Sequence, residues 1–279
     1  MLVIGSSVVR QTFVEGRLMS KVMRIVAIII ALGIMVFAGV QLGTYFYERV
    51  EDTADNDYLT ELADSPIEKK TVTYQRIEPE AQNRLYNYAR RLFGKAAPKK
   101  QPISGKQTKA SLATAQKRKV NFKALKKKNK QIIAWISIPN APVDYAVVKS
   151  SNNTFYLKHN ALKRKSYSGA IFLDSKLKSN FANQDSIVYG HRMRDGSMFG
   201  SLKHYANKNY RKNHQYVYVY TPKATKKYKI SQYFRTSKRK LAPDKSRNQT
   251  LTLVTCDWSA SSHIGVRARL VSSKKPGMK

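Results

Sequence analysis

A single cysteine stands in the 279 residues, Cys256, at the end of the run "TLTLVTC". A polar loop opening "DWSA" follows it, and strand ends with polar loops are where a barrel exposes reactive groups. A cysteine nucleophile works as its thiolate, which needs a cation or a histidine close by. The other reading of the same residue is a buried cysteine acting as a small hydrophobe. Five histidines could serve as partner: His159, His191, His204, His214 and His263. Only His191 sits as Cys256 does, at the exit of an apolar run, in "SIVYGHRMRDGSMFG". Gly190 and Gly196 permit tight turns around it, and Met193, Met198 and Phe199 can pack the loop down. His159, His204 and His214 read as surface residues.

Acyl chemistry also needs a donor for the charge that develops on the carbonyl oxygen. After Cys256 come His263, Arg267 and Arg269, which share strand parity and so face one side. One cysteine excludes an intrachain disulfide and every multi-cysteine metal site. No histidine or carboxylate pair shows ligand spacing beside Cys256, so neither metal nor other cofactor is expected, and the basic later loops argue against calcium.

Eight strands are predicted to hold these residues. They are the alternating "AWISI" up to Pro139, then 143–149, 169–174, 185–191, 215–221, 226–235, 250–256 and 263–271. Short strands with turn signals between them and few helices predict a mostly β fold, a closed eight-stranded barrel. Phe122, Leu125, Asn129 and Ile132 share a helical face just before the first strand.

Residues 25–46 form an apolar stretch, "IVAIIIALGIMVFAGVQLGTYF", long enough to span about 30 Å of hydrocarbon. Arg10, Arg17, Lys21 and Arg24 precede it, and Glu48, Glu51, Asp52, Asp55 and Asp57 follow. That asymmetry keeps the N-terminus cytoplasmic and places the bulk of the chain outside. The expected organisation is a cytoplasmic 1–24, a membrane anchor 25–46, a stalk 47–119, a catalytic domain 120–274 and a tail 275–279. Within the stalk, 78–95 has helical spacing and 96–119 reads as a flexible basic linker. The net charge is +35, and no Asp or Glu occurs between Glu80 and Asp144. An exported domain of that charge meets anionic lipid or wall polymer, which the basic stalk would engage, and not nucleic acid. The tyrosines of "YVYVY" alternate as strand packing requires and need no stacked bases to explain them.

The ordered blocks resemble a sortase of class B. They are "IIAWISIPNAPVDYAVVKS", "NNTFYLKHN", "SGAIFLD", "IVYGHRMRDGSMFGSLKHY" and "TLTLVTCDW", the last carrying a T-L-x-T-C signature. The resemblance runs from about Phe122 to Val271. It implies an eight-stranded barrel and a cysteine transpeptidase of Gram-positive bacteria. Cys256 would attack the threonyl carbonyl of a C-terminal sorting signal on a surface protein. His191 would act as acid and base, and the acyl group would pass to an amine of a cell-wall precursor. The family's third residue is an arginine. Aligning on "ARLV" puts His263 there, whereas distance from the cysteine allows Arg267, and parity permits both. The departure leaves a second reading, a weak or inactive sortase-like protein that binds anionic wall polymer.

Overall fold

The computed structural model describes residues 5–66, 109–236, 248–256 and 262–276. Eight strands close into a barrel: β1 (Ile132–Ile138), β2 (Val143–Val148), β3 (Ile171–Leu173), β4 (Asp185–Gly190), β5 (Tyr216–Tyr220), β6 (Thr225–Thr236), β7 (Thr250–Cys256) and β8 (His263–Lys274). Their order around the barrel is β1-β2-β3-β4-β7-β8-β6-β5. The pairs β2–β3 and β4–β7 are parallel and the others antiparallel. Every strand predicted from period-two alternation is present.

Alternation also sorts the side chains into two cores. Ala134, Ile136 and Ile138 of β1 join Val188, Val217, Leu251, Leu253, Ile264 and Val266 inside the barrel. Ile132, Trp135, Tyr218 and Tyr220 face outward into a second cluster, roofed by helices. Helix α1 (Gly5–Asp64) supplies Tyr58, Leu59, Leu62 and Ala63 to it. Helix α2 (Lys109–Lys117) supplies Ala115, and α3 (Phe122–Lys128) supplies Phe122 and Leu125. Asn121 caps α3 by accepting from Ala124 N at 3.0 Å.

The chain divides into two compact units, Met1–Tyr47 and Glu48–Lys279. In the first, α1 carries a segment long and apolar enough to cross a membrane, with its apolar side chains exposed. In the second, the helix continues to Asp64, well past the end of the predicted span. The acidic residues there have partners elsewhere in the same unit: Asp55 accepts from Asn160 Nδ2 at 2.7 Å and Arg164 at 2.9 Å, and Asp64 accepts from Arg118 at 2.7 Å. Burial raises the Asp55 carboxyl above its ordinary range even against the Arg164 charge.

Helix α2 forms where a flexible linker was expected. Tyr218 and Tyr220 hydroxyls donate to the carbonyls of Leu112 and Ala115 at 3.2 and 2.7 Å and fasten it to β5. Arg118, just after α2, reaches both Asp64 and Asp144, and Asp144 also accepts from Trp135 Nε1 at 2.8 Å. The helix expected within 78–95 lies outside the described residues, as does the first part of the linker.

Candidate active site

Strand register assembles the site. The parallel β4–β7 pair sets Gly190 against Thr255, so His191 leaves β4 at the level of Cys256. The antiparallel β7–β8 pair sets Cys256 directly opposite His263. On the far side, β6 sets Thr236 opposite His263. One row across the barrel thus reads His191, Cys256, His263, Thr236. Two residues down, the next row reads Tyr189, Val254, Gly265, Phe234, and the third reads Ile187, Thr252, Arg267, Gln232. Neighbouring strands are about 4.8 Å apart, so members of a row are close neighbours.

The His191 ring is fixed by its surroundings. Its Nε2 lies 2.7 Å from the Leu157 carbonyl. A carbonyl only accepts, so Nε2 carries the hydrogen and Nδ1 is the nitrogen left to exchange a proton. The loop after it closes on itself: Phe199 N donates to the His191 carbonyl at 2.9 Å, and Met198 N donates to Tyr145 Oη at 3.0 Å. Met193, Met198 and Phe199 are buried, as expected of side chains that pack the loop down. Gly169, with φ +57°, lies against the ring, and a Cβ there would come 3.0 Å from His191 Cδ2.

The second row is a floor. The Phe234 ring lies directly on Gly265, where an added Cβ would sit 2.2 Å from Phe234 Cζ. Tyr189 donates to Asp174 at 3.2 Å, and burial together with that carboxylate pushes its hydroxyl well above the ordinary tyrosine range. Arg192 follows His191, and burial and the charge of Arg235 lower its affinity for a proton.

Arg267 and His263 part company here. Both lie on the outer face, as parity requires, but Arg267 pairs with Thr252, four residues below the Cys256 level. At the rise of a strand that is about 13 Å. Its side chain is engaged there: Nε donates to Thr252 Oγ1 at 3.2 Å, Nη2 lies 3.7 Å from Asp185 Oδ2, and the guanidinium stands 5.3 Å from the Phe234 ring centre. Asp185 is fully buried and also accepts from Thr250 and Thr252 at 2.8 and 2.9 Å. This Asp185–Thr250–Thr252–Arg267 knot escaped the sequence reading. A carboxylate opening an apolar strand opposite a Thr-x-Thr run was its available signal.

Of the histidines expected at the surface, His214 is a correction. It is wholly buried, and its backbone N–H and its Nδ1 both donate to the Tyr210 carbonyl and so close the C-terminus of helix α4 (Lys208–Asn213). Its ring stacks on Tyr210 at 4.1 Å. His159, half-buried, stacks on Phe155 at 4.1 Å. Among the described residues no group of histidines, cysteines or carboxylates could hold a metal ion.

A closed eight-stranded barrel with a T-L-x-T-C strand beside a histidine-bearing strand exit defines a sortase, and the comparisons agree. The sortase-domain family profile matches residues 136–274. The chain belongs to the sortase family, and its relatives are of class B. It is 38% identical over 86 residues to sortase B of Listeria monocytogenes, which is 31% of this chain and 35% of that protein. It is 29% identical over 96 residues to sortase B of Staphylococcus aureus, 34% of this chain and 39% of that protein. The chain therefore spans little more than a third of these curated relatives. The structure of sortase B from B. anthracis in complex with AAEK1 superposes with a TM-score of 0.50 at 25% identity, over 67% of this chain and 98% of that one. A Staphylococcus aureus sortase B–substrate complex superposes at 0.51 with 21% identity, over 55% of this chain and 85% of that one, a likeness of fold.

Proposed function

We propose that this protein is a membrane-anchored cysteine transpeptidase. The Cys256 thiolate attacks the threonyl carbonyl carbon of a C-terminal sorting signal. The C–S bond forms as the amide C–N bond breaks, and His191 gives its proton to the departing amine. An amine of a cell-wall precursor then attacks the thioester, the C–N bond forms, sulfur leaves as thiolate, and His191 takes the surplus proton. The observation that carries this reading is the row His191, Cys256, His263 at one end of the barrel. We assign the oxyanion role to His263, because the register sets it beside Cys256 while Arg267 enters four residues farther along the strand and is tied to Asp185.

The test is intact mass of the full chain in detergent, mixed with peptides carrying Asn-Pro-type and Leu-Pro-type sorting motifs. A covalent acyl adduct is expected, absent from Cys256→Ala. With an amine acceptor added, His191→Ala is expected to form no product. Product from either variant overturns the mechanism.

A second reading, a polymer-binding protein that transfers little, is favoured by the histidine where the family has arginine. Charge supports polyanion binding in either case. After Asp195 the sequence holds only two carboxylates, Asp244 and Asp257, while Lys223, Lys229, Arg269 and Lys274 are exposed on the β5–β6–β8 side. Binding to anionic wall polymer is expected to be tight at low salt and to vanish by about 0.5 M NaCl, where screening acts within a few ångströms. Binding unchanged by salt would refute an electrostatic origin.

A further inference from the structure

The part of α1 that belongs to the catalytic unit touches both loops that hold His191. Arg49 donates to Asp195 and, at 2.6 Å, to Ser197 Oγ. Both partners lie in the loop that begins just after His191 and returns to its carbonyl through Phe199. One turn on, buried Asp52 accepts from Ser166 Oγ at 2.7 Å and from Ser168 Oγ. Ser166 Oγ in turn accepts from Gly169 N at 3.0 Å, and Gly169 is the residue against His191 Cδ2. The next residue, Ala170, donates to the Tyr156 carbonyl at 2.9 Å, beside the Leu157 carbonyl that holds Nε2. The imidazole is therefore held between two loops, and Arg49 and Asp52 reach one loop each.

We infer that Arg49 and Asp52 are positioning residues for His191, so that the rate of acyl transfer depends on a helix lying outside the matched sortase domain. Asp55 also grips the loop between Leu157 and Gly169, farther from the ring, at Asn160 and Arg164, whereas Asp64 with Arg118 touches neither loop. The physical reason for a rate effect is geometric. An acid/base group held a fraction of an ångström off line loses rate steeply, while substrate binding elsewhere in the groove is unchanged. The inference rests on the role given to His191 above.

The test uses the full chain in detergent with a quenched fluorescent sorting peptide and an amine acceptor, reading kcat and KM separately across pH. R49A, D52N and D195N are each expected to lower kcat at least fivefold with KM within twofold, and to displace the limb of the pH profile that H191A removes. The charge swap R49D/D195R is expected to recover kcat to within threefold of the unmodified protein. R118A, which loosens the same helix at Asp64, away from both loops, is expected to keep kcat within twofold. D195N alters an exposed loop residue and keeps the test open should R49A or D52N fail to fold. Loss below fivefold in folded variants, a swap without recovery, or equal loss in R118A overturns the inference. If these variants behave as the unmodified protein while H191A is inactive, this inference alone falls. If H191A is active, the catalytic reading falls with it.

Discussion

Histidine and arginine differ as oxyanion partners in a way that a rate profile reads. Arginine stays charged at every working pH, whereas histidine changes charge within the physiological range. With His263 opposite Cys256, transfer is expected to decline on the alkaline side. His263→Arg is expected to raise kcat/KM several-fold and to flatten that decline, measured as initial rates from pH 5.5 to 9. A steeper decline in the variant would refute the assignment. Arg267 belongs to a different account. Truncating it strands the fully buried Asp185 carboxylate, a loss of about 3 kcal/mol in stability. Arg267→Ala is thus expected to lower the denaturation midpoint markedly, while folded Arg267→Ala keeps kcat within about threefold, since the charge lies two rows below the thiol.

At the scale of elements, the site depends on loops that close against glycine. Gly169 has φ +57°, and a Cβ there would meet the Tyr156 carbonyl at 2.6 Å and the Leu157 carbonyl at 2.9 Å. Neither atom yields easily, because both are backbone. Gly169→Ala is expected to cost about 2 kcal/mol and to cut kcat more than KM, because the Leu157 carbonyl that orients His191 must shift. Thermal melts beside steady-state kinetics check it, and a variant with ordinary stability and rate would contradict the tight packing. The opposite tactic is seen in Arg118, which reaches two carboxylates from different elements and is held more firmly protonated by them than an ordinary arginine.

Across the whole molecule, the catalytic unit is larger than the barrel. Tyr58, Leu59, Leu62 and Ala63 of α1 and Ala115 of α2 complete the outer core around Trp135, Tyr218 and Tyr220. Each large side chain buried there contributes about 2 kcal/mol. A fragment starting at Val120 uncovers that core. It is expected to melt about 10 °C below one starting at Glu48 and to bind a hydrophobic dye. Equal melting temperatures would show that the helices are dispensable to the barrel.

Much of this was legible in the sequence, and the reason is local physics. Strand alternation survives in any context where one face is buried, so all eight strands were predicted and the parity of His263, Arg267 and Arg269 followed. Cys256 and His191 were picked out as the polar residues ending apolar runs, and the apolar segment near the N-terminus declared itself by length. Four things needed the tertiary structure. Register chose His263 over Arg267 as the neighbour of Cys256, because parity is blind to position along a strand. His214 is buried at a helix end that periodicity does not mark. Helix α2 forms in a lysine-rich stretch because two tyrosines of β5 reach its carbonyls. The reach of Glu48–Asp64 onto the His191 loops depends on pairs more than a hundred residues apart in the chain, which no local pattern records.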